Sequence, residues 1–193
     1  MKEMVLIVDR NNLPNEWLNN KIAKKISLFD LMEALSTYSW MLREYVEKDE
    51  NSKQLIPYIV LKDKLNNRIG IYQRHGSEKR IHGLHSVGVG GHINDTDKEA
   101  DALILETIFY SAKRELSEEL IGLDMDAPLQ FVGILNEEET KVGRTHFALL
   151  FVIELERLPH GGAELLNFHW KTKSEILANY KLELWSEMAL SLI

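Results

Sequence analysis

One stretch constrains this chain more than any other: Glu106 to Gly122, E-T-I-F-Y-S-A-K-R-E-L-S-E-E-L-I-G. At about 100° per residue it reads as a helix. Leu105, Phe109, Ala112, Leu116 and Leu120 form an apolar stripe along it. Glu115, Glu118 and Glu119 fall together at the edge of that stripe. Such a segment must lie against a core and bring three acids with it. Like charges at i,i+4 cost a helix about 0.2–0.5 kcal/mol per pair. Acids near a helix C-terminus oppose the macrodipole by roughly 0.3–1 kcal/mol each, and Gly122 is expected to stop the helix. Spacing alone leaves two readings open. The acids are a solvated face with Arg114 pairing Glu118, or they are a site for a hard divalent cation, which takes oxygen ligands.

The 193 residues fit one domain and can bury a real core. A net charge of −7 argues against a broad nucleic-acid surface or an anionic membrane as partner. The chain has no cysteine, which excludes disulfides, thiolate metal sites and cysteine nucleophiles. Phe147 to Ile153 is the longest apolar run near the end and is too short to span a bilayer. The first ten residues lack the pattern of a signal peptide, so a cytoplasmic location is expected.

The chain divides at the polar connector E-K-D-E-N-S-K. Residues 1–50 are expected to form an N-terminal strand and helical extension packed on a main domain of residues 51–193. In the extension, Met4–Val8 reads as a strand and Glu16–Lys25 as a short helix. A second helix is expected from Leu28 to Val46, opened by a Ser27/Asp30 capping box. Its apolar face is available to cover the sheet or to form a homodimer. In the main domain, Gln54–Asp63 and Ile69–Gln73 read as a hairpin, with Pro57 near the first strand's start. A charged loop carrying His75, Glu78, Lys79 and Arg80 follows. His82 and His85 lie three apart, but spacing places no third nitrogen ligand beside them. S-V-G-V-G-G-H-I-N, from Ser86 to Asn94, is a glycine turn that can offer backbone groups to a phosphate or metal. Further on, strands are expected at Pro128–Leu135, at Arg144–Glu156, which is apolar enough to be central, and at the Phe168–Trp170 edge. Asn136–Gly143 reads as an exposed acidic loop, His160–Gly162 as a turn and Ser174–Leu192 as a closing helix.

G-G-H-I-N followed by E-x7-R-E-L-S-E-E resembles the Nudix box, whose pattern is G-x5-E-x7-R-E-U-x-E-E-x-G-U with U aliphatic. Glu106, Arg114, Glu115, Leu116, Glu118 and Glu119 match it position by position. There are two departures. Gly91 lies about nine residues too far ahead of Glu106, so the Asn94–Leu105 stretch contains an insertion. Gly122 falls one residue late. The phrases Q-L-I-P-Y and S-V-G-V-G-G-H-I-N also resemble a branch of that family known only as phosphoesterases or phosphohydrolases.

The resemblance implies an α/β fold: a Nudix-like α/β/α sandwich with a mixed β-sheet, here with the added N-terminal helical segment. It implies hydrolysis of a nucleoside diphosphate linked to another group, a small, phosphorylated, nucleotide-like substrate, with Mg2+ or Mn2+. By that resemblance Glu118, Glu119 and the Gly91 carbonyl would hold the metal. Glu115 would be a further ligand or the general base, and Arg114 would orient it. Glu106 and Gly90 would support the site. In this family the base often sits on a later loop, so Glu138, with Glu137 and Glu139, competes with Glu115. Arg74, Arg144 and His146 would clamp phosphates, while Tyr72 and Trp170 would stack a base or merely pack. A non-catalytic nucleotide-binding sensor on the same fold is the alternative function. An isopentenyl-diphosphate isomerase, a relative in fold, is disfavoured because it needs a cysteine.

Overall fold

The computed structural model describes residues 2–74 and 83–193. His75, Glu78, Lys79, Arg80 and His82 lie outside the described residues. In chain order the strands are β1 (Met4–Asp9), β2 (Lys21–Lys25), β3 (Ser39–Leu42), β4 (Ser52–Asp63), β5 (Arg68–Gln73), β6 (His85–Ser86), β7 (Gly88–Val89), β8 (Leu120–Ile121), β9 (Leu129–Glu137), β10 (His146–Leu155), β11 (His160–Gly161) and β12 (Leu166–Thr172). The helices are α1 (Leu28–Ala34), α2 (Arg43–Val46), α3 (Ile104–Glu119), α4 (Lys141–Thr145), α5 (Lys173–Asn179) and α6 (Leu184–Leu192).

One mixed sheet organises these elements in the order β12-β5-β4-β10-β9-β2, and β1 and β7 extend the pairing of β4. β10 lies at its centre, as its unbroken apolar run predicts. It pairs in parallel with β4 from His146↔Gln54 to Leu155↔Asp63, and antiparallel with β9. α3 packs on one face through Ile108, Ala112 and Leu116, against Leu55, Ile59, Phe147 and Phe151. α5 and α6 cover the other face through Ile176, Met188, Ala189 and Leu190. The result is a helix–sheet–helix sandwich. Each of the large buried aliphatic side chains contributes about 1.5–3 kcal/mol by leaving water.

The added N-terminal helical segment holds three strands beside two short helices, and the reason is pairing. β1 lies antiparallel to β4 and β3 closes on β1, so the expected Leu28–Val46 helix breaks after α1. The Ser27/Asp30 capping box does open α1, and Leu31, Ala34 and Leu35 are buried in the core. The expected helix at Glu16–Lys25 is instead a single turn followed by β2, which pairs with β9 from Lys21↔Glu137 to Lys25↔Gly133. Its three lysines guard the sheet's outer edge. Residues 1–50 therefore contribute strands to the main sheet.

Pro57 sits mid-strand rather than near the start of β4. Its carbonyl faces Gly90, where a Cβ would collide with it. That side of β4 pairs with β1 only as far as Gln54 and with β7 only from Ile59. The missing N–H therefore falls in a gap and costs no ladder bond. The closing helix is also interrupted. His85 N–H donates to the Lys181 carbonyl, and Glu183 N–H donates to the His85 carbonyl. Pairing with His85 draws the chain out of helix between α5 and α6, and Leu177 is exposed.

Candidate functional site

α3 starts where Leu103 N–H donates to Glu106 Oε2 at 2.8 Å, so Glu106 caps the helix. Ahead of α3 the chain makes a single turn at Asp95–Asp97, capped by Asn94. The buried row is Ile104, Ile108, Ala112 and Leu116, with Leu105 and Phe109 half-buried beside it. α3 ends at Glu119. Leu120 is already extended and pairs through β8 with β11, where the sequence suggests a plain turn. Gly122, with φ +80°, turns the chain two residues later and is not the helix stop itself.

The acids emerge at this end of α3. Arg114 is their hub. Its Nη1 donates to Glu115 Oε1 at 2.8 Å and to Glu118 Oε2 at 3.1 Å. Its other nitrogens donate to both oxygens of Asp97 at 2.6 and 2.9 Å and to the His92 carbonyl at 3.0 Å. The i,i+4 pair and the Glu115-orienting bond, offered by two different readings of the sequence, both exist. Burial would raise Asp97, but the Arg114 guanidinium holds its carboxyl below the usual range. Asp97 lies in the Asn94–Leu105 stretch, where the family pattern offers no guide.

A cleft of about 1200 Å³ opens beside Glu115 and Glu119, lined also by Gly90, Gly91 and Glu164. Gly91 faces Glu115: a Cβ on it would stand 2.6 Å from the carboxylate. Burial first, with the Glu118 and Asp97 charges, pushes Glu115 up. Burial also pushes Glu119 up to about 7, helped by the charges of Glu115 and Glu164 and opposed by Arg74. Glu164 comes from the loop after β11, tethered where Gly162 N–H donates to the Glu119 carbonyl at 2.7 Å. Nothing in the sequence motif marks it. Glu118 is exposed and does not line the cleft.

Among the described residues no three His, Asp or Glu side chains converge as a metal cluster. Glu118 turns to Arg114 instead of joining Glu115 and Glu119. The donor chemistry still fits a hard cation. Two half-buried carboxylates resist ionisation beside each other, and the backbone of Gly91 approaches them without a side chain.

The remaining predicted residues divide between cleft and scaffold. Arg74 lines the cleft and donates to Tyr72 Oη at 3.2 Å. His146 lines it too, its Nε2 3.3 Å from His92 Nε2 and its Nδ1 2.9 Å from the Val142 carbonyl. Burial lowers both imidazoles, His92 to about 3, which favours their neutral forms. Arg144 lies outside the cleft in an ion pair with Glu50 at 2.7 Å. The supposed exposed loop at Asn136–Gly143 is folded. Asn136 and Glu137 are buried, α4 follows, and Glu137 accepts from the N–H groups of Glu139 and Thr140 at 2.7 and 2.9 Å. Glu138 is withdrawn from the cleft, paired with Lys53 at 2.8 Å and Arg10 at 2.7 Å. The structure thus sets Glu138, expected as a general base, apart from the cleft, with two cations on its carboxylate. His85 packs edge-on against Tyr180 at 4.8 Å, and His169 lies against the same ring, its Nε2 2.8 Å from Tyr180 Oη.

Tyr72 is buried, its hydroxyl donating to the Gly88 carbonyl at 2.9 Å, and Trp170 packs on Phe168 outside the cleft. Trp185 of α6, set edge-on to Tyr58 at 5.8 Å, also reaches the cleft, which Tyr58 and Tyr72 line beside it. The pattern in the sequence gives no reason to prefer Trp185 over Trp170. Only the break between α5 and α6 brings it there.

No protein-family model matches the chain. Protein YmaB of Bacillus subtilis (strain 168) is 28% identical over 208 residues, spanning 100% of this chain and 98% of that one. The crystal structure of Tm1382, a candidate Nudix hydrolase, superposes with a TM-score of 0.76 at 28% identity, covering 98% of this chain and 97% of Tm1382. The Nudix domain of Shewanella oneidensis NrtR, crystallised with ADP ribose, gives a TM-score of 0.57 at 14% identity over 72% of this chain and 85% of that domain, a likeness of fold alone.

Proposed function

By its structure the chain belongs to the Nudix hydrolase superfamily, and we propose that it hydrolyses the diphosphate linkage of a nucleotide-like substrate bound in the cleft beside Glu115 and Glu119. The fold supports a general pyrophosphohydrolase-type activity. The observation that carries the finer reading is the pair of half-buried acids whose ionisation is disfavoured, opposite the bare backbone of Gly91.

Glu115, Glu118, Glu119 and the Gly91 carbonyl would hold Mg2+ or Mn2+, with Glu118 swinging from Arg114 to join the other two. When bound, such an ion neutralises phosphate charge and makes water a stronger nucleophile. The chain's own groups do the rest. Arg114, anchored by Asp97, fixes the Glu115 carboxylate by a charge-assisted bond. A carboxylate here with a raised pKa is suited to take the proton of the attacking water. Arg74 lines the cleft, supplies a cation whose charge opposes the rise of Glu119, and is placed to meet a phosphate. His146 and Lys141 line the same cleft as further polar partners, and Trp185 offers a ring face to a base. A sensor would need the cleft but not the acids, and the acid set favours the enzyme. Among the described residues no helix is long and apolar enough to cross a membrane. The absence of cysteine accords with a reducing compartment such as the cytoplasm.

The test is a panel of nucleoside diphosphate sugars, dinucleoside polyphosphates, NADH and nucleoside triphosphates, with Mg2+ or Mn2+. Turnover of at least one member is expected, and wild-type inertness across the panel would favour the sensor.

A further inference from the structure

Lys53 is fully buried, unusual for a lysine. It lies near the start of β4, and its ammonium donates to Gly143 O at 2.6 Å, Glu138 Oε1 at 2.8 Å and Asn136 Oδ1 at 2.9 Å, with His146 O at 3.4 Å. An ammonium has three N–H groups, so the three shorter bonds leave none over. All four acceptors belong to one run of chain, from the end of β9 through α4 to the first residue of β10. That run forms a wall of the cleft through Glu137, Thr140, Lys141, Val142, Thr145 and His146.

Stability alone is a poor reason for such an arrangement. Burying a charged pair costs desolvation that its own attraction often fails to recover, and apolar replacements of similar volume are frequently as stable. An apolar side chain would fill the space, but it would not fix three polar groups of a neighbouring segment at set directions. We propose that Lys53 is a positioning residue, holding the Asn136–His146 wall so that Lys141 and His146 meet the substrate in one geometry.

The inference rests on reading the cleft as the substrate site. Burial is the largest influence on Lys53 and pulls it down to about 8, while Glu138 pulls it back. The side chain thus remains an ammonium at neutral pH. His146 is then steered through its ring, whose Nδ1 is bonded to the Val142 carbonyl within the segment that Lys53 anchors. None of the α3 acids is among the partners of Lys53, so the reacting end of the cleft is left alone. Arg10 also pairs with Glu138 at 2.7 Å, a contact that does not run through Lys53.

The experiment compares Lys53→Met and Lys53→Gln with Leu190→Ala, a core variant on the opposite face of the sheet. Steady-state kinetics with any substrate turned over by the wild type are recorded at a temperature where all are folded. Amide hydrogen exchange is followed residue by residue. The expected result is a KM raised about tenfold with kcat held within about twofold, the pattern of lost binding rather than lost chemistry. Exchange should speed up in residues 137–146 while the rest of the sheet stays protected. An unchanged KM, or an equal rise in Leu190→Ala, overturns the proposal. If the wild type turns over nothing, the hydrolase reading fails by itself and exchange decides this one. Acceleration confined to 137–146 in Lys53→Gln supports it, and a uniform change sinks it. Lys53→Gln keeps the test open if Lys53→Met does not fold.

Discussion

Lys53 with its partners and the acids of α3 are both charge clusters drawn partly out of water, yet they are settled differently. Around Lys53 every ammonium hydrogen has an acceptor, and Glu138 is held between two cations that keep its carboxyl below the usual range, against the opposing pull of burial. At the end of α3, Glu115 and Glu119 sit beside each other and beside Glu164, and burial pushes both up. In charge, one cluster is satisfied within the chain and the other is left with an excess of acids, although Glu138 Oε2 meets only its ion pair with Arg10 and Glu115 accepts from Arg114. A satisfied buried cluster specifies geometry. An unsatisfied one keeps its capacity to bind something from outside, which is the property a catalytic site needs.

Four measurements test that contrast, from the largest expected effect to the smallest. Lys53→Met strips a partner from the satisfied cluster and should cost about 3–5 kcal/mol in denaturant unfolding, the usual penalty for breaking a buried pair. A loss below 1 kcal/mol, on the surface-pair scale, would erase the contrast. Glu118→Gln, in the other cluster, should leave unfolding free energy within about 0.5 kcal/mol. It should also lower kcat at least about a hundredfold with Mg2+, as loss of a catalytic group does. Full activity in that variant would remove Glu118 from the site. Thirdly, Mn2+ alone should raise the melting temperature of the wild type, with a gain of about 1.4 kcal/mol at tenfold over its dissociation constant. Glu119→Gln should lose most of that gain, and an equal shift in both proteins would place the ion elsewhere. The smallest effect is in acid. Glu138 has a folded pKa below its unfolded 4.5. Its contribution to stability is therefore present above pH 4.5 and disappears as pH falls through the lower, folded value. Glu138→Gln should flatten that part of the stability curve, and an unaltered acid limb would show the Lys53 pair to be weaker than its geometry implies.

The same contrast explains what could be read early. The α3 acids, Arg114 and Glu106 are legible because helical period and fixed spacing are local properties. Asp97, which clamps Arg114, is not, because it lies in an insertion where spacing carries no information. Glu138 and Trp170 were reasonable candidates by residue type. Their partners, Lys53 and Arg10 for one and Phe168 for the other, come from distant strands and decide where they point. The N-terminal fifty residues show the same limit. Their helical periodicity from Leu28 to Val46 is real as far as Ala34, then yields to pairing between β1 and β3.

By itself the sequence determined the central strand β10, the β4–β5 hairpin and the acid-bearing helix, and its resemblance to the Nudix box gave the expected class of chemistry. Each of these follows from patterns within one segment, where apolar period and charge spacing act at short range. Tertiary structure alone decided that Lys21–Lys25 and Ser39–Leu42 are strands, that Trp185 rather than Trp170 reaches the cleft, and that Glu138 is bound to Lys53. Those outcomes depend on hydrogen bonds and ion pairs between residues far apart in the chain, and only the assembled sheet brings them together.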